Sequence, residues 1–242
     1  MTRLGFIYPG GGAEYEYYLF AERHGFQAFL VGSRIPGGDD HTVEALRQTA
    51  RIEHIVEAGR HLVPLRPDAV VWACTSGSFI LGRTGAEAQV EALSVATGRP
   101  ATSTSLAFVA ALTRLRATRV AVLATYPEPA SRAFAAFLAE HDIAVVSLDW
   151  LDASTGFDAA AIGGDRLLAA AEGVALEAEA LLIPDTALPT LEILVTLEQR
   201  IERPVLTANQ VTLWAGLGLA KRPQRVPGYG RLFGLGKEES AL

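Results

Sequence analysis

Short apolar runs alternate along the chain with longer stretches whose apolar positions recur every three or four residues. Residues 4–8, 28–32, 69–73, 120–124, 144–148, 180–183 and 205–207 predict strands. Several of these runs are rich in Val, Ile, Leu and Phe with no in–out alternation, the pattern of parallel strands covered on both faces. Between them, residues 41–61, 86–97, 106–115, 128–141, 165–178, 190–201 and 210–219 predict helices. Strands alternating with helices build βαβ units and a parallel sheet. Gly98-Arg99-Pro100 and Arg203-Pro204 mark returns from helix to strand. Residues 221–242, with Pro223 and Pro227, read as an irregular segment lying on the body.

Three segments recur in the same order. The stretch from Arg3 to Pro9 resembles that from Arg119 to Pro127, Val70 to Ser76 resembles Leu181 to Ala187, and Pro100 to Phe108 resembles Pro204 to Trp214. One account is that all βα units share this texture. The other, which the common order favours, is a duplicated half. Ligands of parallel sheets gather at the carboxyl ends of the strands. Two facing halves would therefore bring residues 8–12, 74–78, 126 and 185–186 around one cleft, with Cys74-Thr75 and Asp185-Thr186 as equivalents.

Composition narrows the class. The 242 residues hold 1 Cys, so no intrachain disulfide forms, and a reducing, cytoplasmic setting is expected. A formal charge of −6 argues against a nucleic-acid partner. The opening MTRLGFIYPGGG does not read as a signal peptide, and no apolar run is long enough to span a membrane.

The strand ends supply the candidate chemistry. Cys74 stands where a strand opens into a helix, and backbone N–H groups with a helix dipole lower a thiol pKa there. It is an acid/base or nucleophile, or else a buried small hydrophobe. Thr75, Ser76 and Ser78 form an anion-friendly turn, or simply cap the next helix. Gly11, within Gly10-Gly11-Gly12, permits close backbone approach to an anion, or is a flexible turn. Neither GxGxxG nor a P-loop is present. Tyr126 could donate its hydroxyl to a substrate oxygen. Asp185, with Thr186 beside it, is a general base or a helix cap. The five histidines, His24, His41, His54, His61 and His141, read as surface residues, with His54 and His61 on one helix face. No Gly-x-Ser-x-Gly elbow occurs.

Taken together, Gly5 to Pro9, Cys74 to Phe79, Ala124-Thr125-Tyr126, Leu181 to Leu191 and Pro227 to Phe233 resemble the arylmalonate decarboxylase and maleate cis–trans isomerase group of the aspartate/glutamate racemase superfamily. The resemblance implies an α/β fold of two pseudo-symmetric Rossmann-like (flavodoxin-like) halves. Each half has a four-stranded parallel sheet, and the active site lies in the cleft between them. It divides the chain into 1–115 plus 208–242, carrying Cys74, and 116–207, carrying Tyr126 and Asp185. It implies chemistry without a cofactor or metal. Racemases and isomerases of the group use two thiols on opposite faces of the substrate. The decarboxylase keeps only the second, with an enediolate held by a pocket matching Thr75, Ser76 and Tyr126.

This chain departs from both patterns. Cys74 is present where the decarboxylase has Gly, and Asp185 replaces the second thiol. The expected function is an isomerase or racemase of a small carboxylate or dicarboxylate, working through Cys74 and Asp185, with Thr75, Ser76, Tyr126, Gly11 and Thr186 binding substrate. The alternatives are a decarboxylase protonating from the Cys74 face and a non-catalytic small-acid binder. Tyr15, Phe79 and Leu188 are expected in the cleft wall. A homo-oligomer is compatible with the sequence, which leaves the assembly open.

Overall fold

A computed structural model describes residues 1–33, 39–174, 177–222 and 225–235. Its frame is two four-stranded sheets with one strand order, β2-β1-β3-β4 and β6-β5-β7-β8. The strands are β1 (Arg3–Tyr8), β2 (Gln27–Gly32), β3 (Ala69–Trp72), β4 (Ala101–Ser103), β5 (Arg119–Ala124), β6 (Ala144–Trp150), β7 (Ala180–Ile183) and β8 (Val205–Thr207). Every pairing is parallel. The central strands β3 and β7 are buried at all positions, as their unbroken apolar runs require. The edge strand β6 is exposed or half-buried throughout.

All seven predicted strands form. The eighth, β4, is three residues long and was not predicted. Ser103 ends it and caps the helix Thr104–Leu115, accepting the Leu106 N–H. At the matching place in the other half, Thr207 ends β8 and forms a capping box with Gln210 at the start of the helix Ala208–Leu219. These two helices pack on each other, with Thr104 Oγ1 2.8 Å from Thr212 Oγ1.

Three helical expectations are corrected. The stretch 41–61 divides into Val43–Thr49 and Ile52–Leu62, because Arg51 turns extended between them. The Ala50 carbonyl freed there is taken by Gln89 Nε2 at 2.7 Å. The helix Glu14–His24 was not predicted, and its polarity hides it: Tyr15, Tyr18 and Leu19 face solvent while Glu16 is buried. Gly25 ends it in the left-handed conformation. The tail is not wholly irregular, since Gly230–Gly234 is helical and buries Leu232 and Phe233. Pro223, residues 175–176 of the predicted helix 165–178, and residues 236–242 lie outside the described residues. No helix among the described residues is long and apolar enough to cross a membrane.

A short segment of the first half clasps the second. Asp40 bridges Thr155, the Asp39 carbonyl accepts the Gly156 N–H at 2.8 Å, and the His41 N–H donates to the Ser154 carbonyl at 2.9 Å.

Candidate active site

The chain leaves β3 through Ala73, Cys74 and Thr75 and enters the four-residue helix Ser76–Phe79. Cys74 is 3% exposed. Its Sγ accepts the Gly77 N–H at 3.2 Å and lies 3.7 Å from Ser76 Oγ. Ser78 shares its hydroxyl proton between the carbonyls of Cys74 and Thr75, at 2.7 and 2.9 Å, and accepts the Ser105 N–H at 3.1 Å. The turn that carries the sulfur is thus pinned from beneath. Burial outweighs the Gly77 and Ser76 contacts and pushes the thiol up to about 11. This reverses the lowering expected from a helix start, because a helix of one turn brings little dipole to offset desolvation.

Asp185 holds the equivalent strand end after β7. Its φ is 122°, a left-handed region costly for a residue with a Cβ. Two hydrogen bonds keep it there: Ala187 N–H donates to Oδ1 at 2.9 Å and the Thr125 hydroxyl donates to Oδ2 at 2.5 Å. The helix-cap alternative does not describe it, since the next helix, Leu194–Ile201, begins well beyond and Ile193 is its N-cap. Asp185 caps a local turn instead.

The hydroxyls meet between these ends. Thr75 makes no side-chain cap to its helix. Thr75 Oγ1 and Tyr126 Oη, both buried, close no hydrogen bond of good geometry among the described residues, although the Thr75 and Ser76 side chains lie beside the phenol. Burial, with Asp185 and Cys74 nearby, raises the Tyr126 phenol above its usual range, so it keeps its proton as a donor. Its ring is wedged edge-on between His41 and Phe79, at 4.8 and 5.7 Å between centroids. Unpaired buried hydroxyls are costly in a core and ordinary in a ligand site.

Two residues expected at the ligand make contacts within the chain. Gly11 and Gly12 turn their N–H groups to the Glu14 carboxylate, at 2.9 and 3.0 Å, so the chain's own side chain fills that anion nest. Thr186 offers its carbonyl to the Tyr8 hydroxyl at 2.8 Å. Of the expected wall residues, Phe79 packs on Tyr126, and Leu188 lies in the core behind β7. Tyr15 is exposed and borders a separate groove with Leu191 and Tyr229.

His41 is the residue the sequence reading misplaced. It is 6% exposed and stands inside the pocket, its Nδ1 2.9 Å from the Ala153 carbonyl and its Nε2 3.9 Å from Asp185 Oδ2. His54 and His61 do share a helix face, and with Glu57 they border an outer cleft of about 200 Å³ beside Ser33. Among the described residues no three His, Cys, Asp or Glu side chains come together as a metal set.

The pocket itself holds Cys74, Ser76, His41, Asp185, Thr186 and Tyr8 in its wall and has a volume of about 20 Å³. That is room for about one water, so an organic acid enters only as the walls part. One wall, the loop after Asp185, is tied down by buried Glu16. Glu16 accepts the N–H groups of Thr190 and Leu191 at 2.8 and 2.7 Å and the Asn209 amide at 2.7 Å. Burial lifts this carboxyl to about 7.

Two parallel-sheet lobes of one topology, meeting at a crevice with a strand-end thiol in one and a strand-end carboxylate in the other, define an α/β protein of two like halves with its candidate site between them. The family model described as arylmalonate decarboxylase matches residues 42–233, and the chain belongs to that family. An arylmalonate decarboxylase of Bordetella bronchiseptica is 30% identical over 209 residues, 84% of this chain and 82% of the relative. Among solved structures, a liganded arylmalonate decarboxylase carrying glycine-to-cysteine and cysteine-to-serine changes superposes with a TM-score of 0.85 at 27% identity, covering 97% of this chain and 99% of that one. A maleate isomerase of Pseudomonas putida S16 with maleate bound shares the fold at a TM-score of 0.88 and 23% identity, covering 96% and 97%. So does a Nocardia farcinica maleate cis–trans isomerase holding a covalent succinylcysteine intermediate, at a TM-score of 0.86 and 24% identity, covering 96% and 98%.

Proposed function

We propose that the pocket carries a cofactor-independent isomerisation or racemisation of a small carboxylate or dicarboxylate, with Cys74 and Asp185 as unlike acid and base on its two sides. The observation that carries this reading is the pairing of a buried thiol and a buried carboxylate, from equivalent strand ends, across one pocket, with the buried hydroxyls of Thr75 and Tyr126 beside it. The two halves are taken as 1–115 with 208–242 and 116–207.

Asp185 removes the proton next to the substrate carboxyl, and the electron pair moves into an enediolate. Hydroxyls of Thr75, Ser76 and Tyr126 donate to its oxygens, the arrangement that stabilises charge as it develops. The Cys74 S–H then gives its proton to the opposite face of the carbon. A thiol near 11 is protonated at neutral pH, which suits a donor to a strongly basic carbon. Solvent returns a proton to the sulfur and takes one from the carboxyl. On an unsaturated diacid the sulfur, passing its proton to Asp185, would add to one carbon of the double bond while the π pair moves into the adjoining carboxyl as an enediolate that is then protonated, the kind of adduct held by the Nocardia relative. Gly11 and Thr186 serve the walls in this reading, through Glu14 and Tyr8.

A second reading is decarboxylation, favoured by the 30% identical relative and by a thiol that keeps its proton. Loss of CO₂ leaves the same enediolate, and Cys74 alone protonates it. Proton NMR in D₂O with maleate, phenylmalonate and 2-phenylpropanoate separates the two. Isomerisation or α-deuteration without CO₂ supports the first, and CO₂ release with one deuteron per product supports the second. An inert wild-type protein, or full activity in Cys74→Ala, refutes both.

A further inference from the structure

We infer that His41 receives and holds the proton that Asp185 removes, so that a carboxylate–imidazole pair faces Cys74 across the pocket. The inference rests on the reading of Asp185 as the base and names the group behind it.

Three observations lead there. The first is placement. His41 sits on the clasp, and its backbone is fixed by the opposite half through Ser154, while the Asp40–Thr155 and Asp39–Gly156 contacts flank it. A residue from the Cys74 half is thereby delivered to the Asp185 side of the pocket. The second is the tautomer. A carbonyl only accepts, so the 2.9 Å contact to Ala153 requires the proton on Nδ1. In the neutral ring Nε2 is then a bare acceptor. The third is what that acceptor faces. Nε2 lies 3.9 Å from Asp185 Oδ2, close but beyond hydrogen-bonding distance. Ala187 and Thr125 already occupy other directions of the carboxylate. One added proton converts this opposed pair into an ion pair, and a closing movement of about 1 Å brings it to hydrogen-bonding distance.

The step balances without a further reagent. The substrate C–H bond breaks, its electron pair stays on the substrate as the enediolate, and its proton passes to Asp185. From there it moves to Nε2, giving an imidazolium held between the Ala153 carbonyl and the restored carboxylate. Asp185 is again anionic while Cys74 protonates the other face. The edge of Tyr126 keeps the imidazole from swinging away. The unlike pair thus matches in function a thiol that can both take and hold a proton.

The test uses the full-length protein. In ¹⁵N NMR of the ligand-free wild type, His41 shows a protonated Nδ1 and a bare Nε2, and Asp185→Asn moves the Nε2 signal while Nδ1 stays. In D₂O, His41→Asn, which can keep the Ala153 bond, and His41→Gln, which places an amide near the Nε2 position, both slow α-deuteration of 2-phenylpropanoate about 100-fold with KM little changed. A purely structural role would move KM and stability instead. The inference is overturned if an active wild type is matched by His41→Asn, or if Nε2 carries a proton in the ligand-free wild type, alone or together with Nδ1. Should the wild type itself leave every acid unexchanged, the Asp185 reading has failed and the relay falls with it. That result is distinct from an active wild type indifferent to His41.

Discussion

Glu16 sets a measurable pH dependence of stability. Its carboxyl is buried beneath the loop that follows Asp185 and is lifted from the usual 4.5 to about 7 by desolvation, against the pull of three donors. The folded protein therefore binds a proton at Glu16 more tightly than the unfolded chain does. For a carboxyl raised in this way, the associated stability is fully present below the unfolded value and is lost as pH climbs through the folded one. At about 1.4 kcal/mol for each tenfold change in proton affinity, the loss between pH 4.5 and pH 7 is about 3 kcal/mol. In a chain of this length that corresponds to a fall in Tm of roughly 6–12 °C. Glu198, another raised carboxyl, acts with the same sign, so the informative quantity is wild type minus Glu16→Gln. The glutamine still offers an oxygen to Thr190 and Leu191, but its amide meets the Asn209 amide, a donor conflict costing about 1–3 kcal/mol at every pH. Urea denaturation from pH 4.5 to 8 should show the stability of the wild type minus that of Glu16→Gln falling by about 3 kcal/mol as pH rises, so that the variant draws level with or overtakes the wild type. A difference constant across that range would refute the reasoning.

Alkylation of Cys74 by iodoacetamide should be slow at pH 7 and rise about tenfold per pH unit toward 11, since only the thiolate reacts; fast, pH-independent labelling between pH 6 and 8 would contradict its burial. Tyr126→Phe deletes a buried hydroxyl that lies beside the Thr75 and Ser76 side chains and makes no well-formed hydrogen bond among the described residues. Thermal stability should hold or rise by about 1 kcal/mol, while turnover falls about 100-fold; a large loss of stability would mark the hydroxyl as structural. Gly12→Ala would put a Cβ 2.6 Å from Ala187 Cα, so Tm should drop by several degrees as the Asp185 loop is pushed outward, and an unchanged melting curve would show that the loop yields freely.

The strand ends bearing Cys74 and Asp185 were legible because β3 and β7 are unbroken apolar runs stopped by a polar cluster, a signal that survives without tertiary information. The repeat was legible for the same reason, and the shared strand order follows it. His41 was not. It is placed by backbone pairing and by a carbonyl 112 residues away, and nothing local distinguishes it from a polar residue on a helix. Glu16 was hidden in the same way, since a buried carboxylate among exposed tyrosines inverts the pattern that marks an amphipathic helix. Gly11 invited an anion, but the competing partner was Glu14, three residues on, and composition cannot rank an internal anion against an external one.

A crevice made from two copies of one sheet would treat mirror-image substrates evenly if both copies carried the same reagent. Here sulfur stands on one side and oxygen on the other. In the decarboxylation reading, where Cys74 alone delivers the proton, handedness in the product is written by the side that carries the cysteine, and exchanging Cys74 and Asp185, rather than reshaping the walls, is the route to the opposite enantiomer.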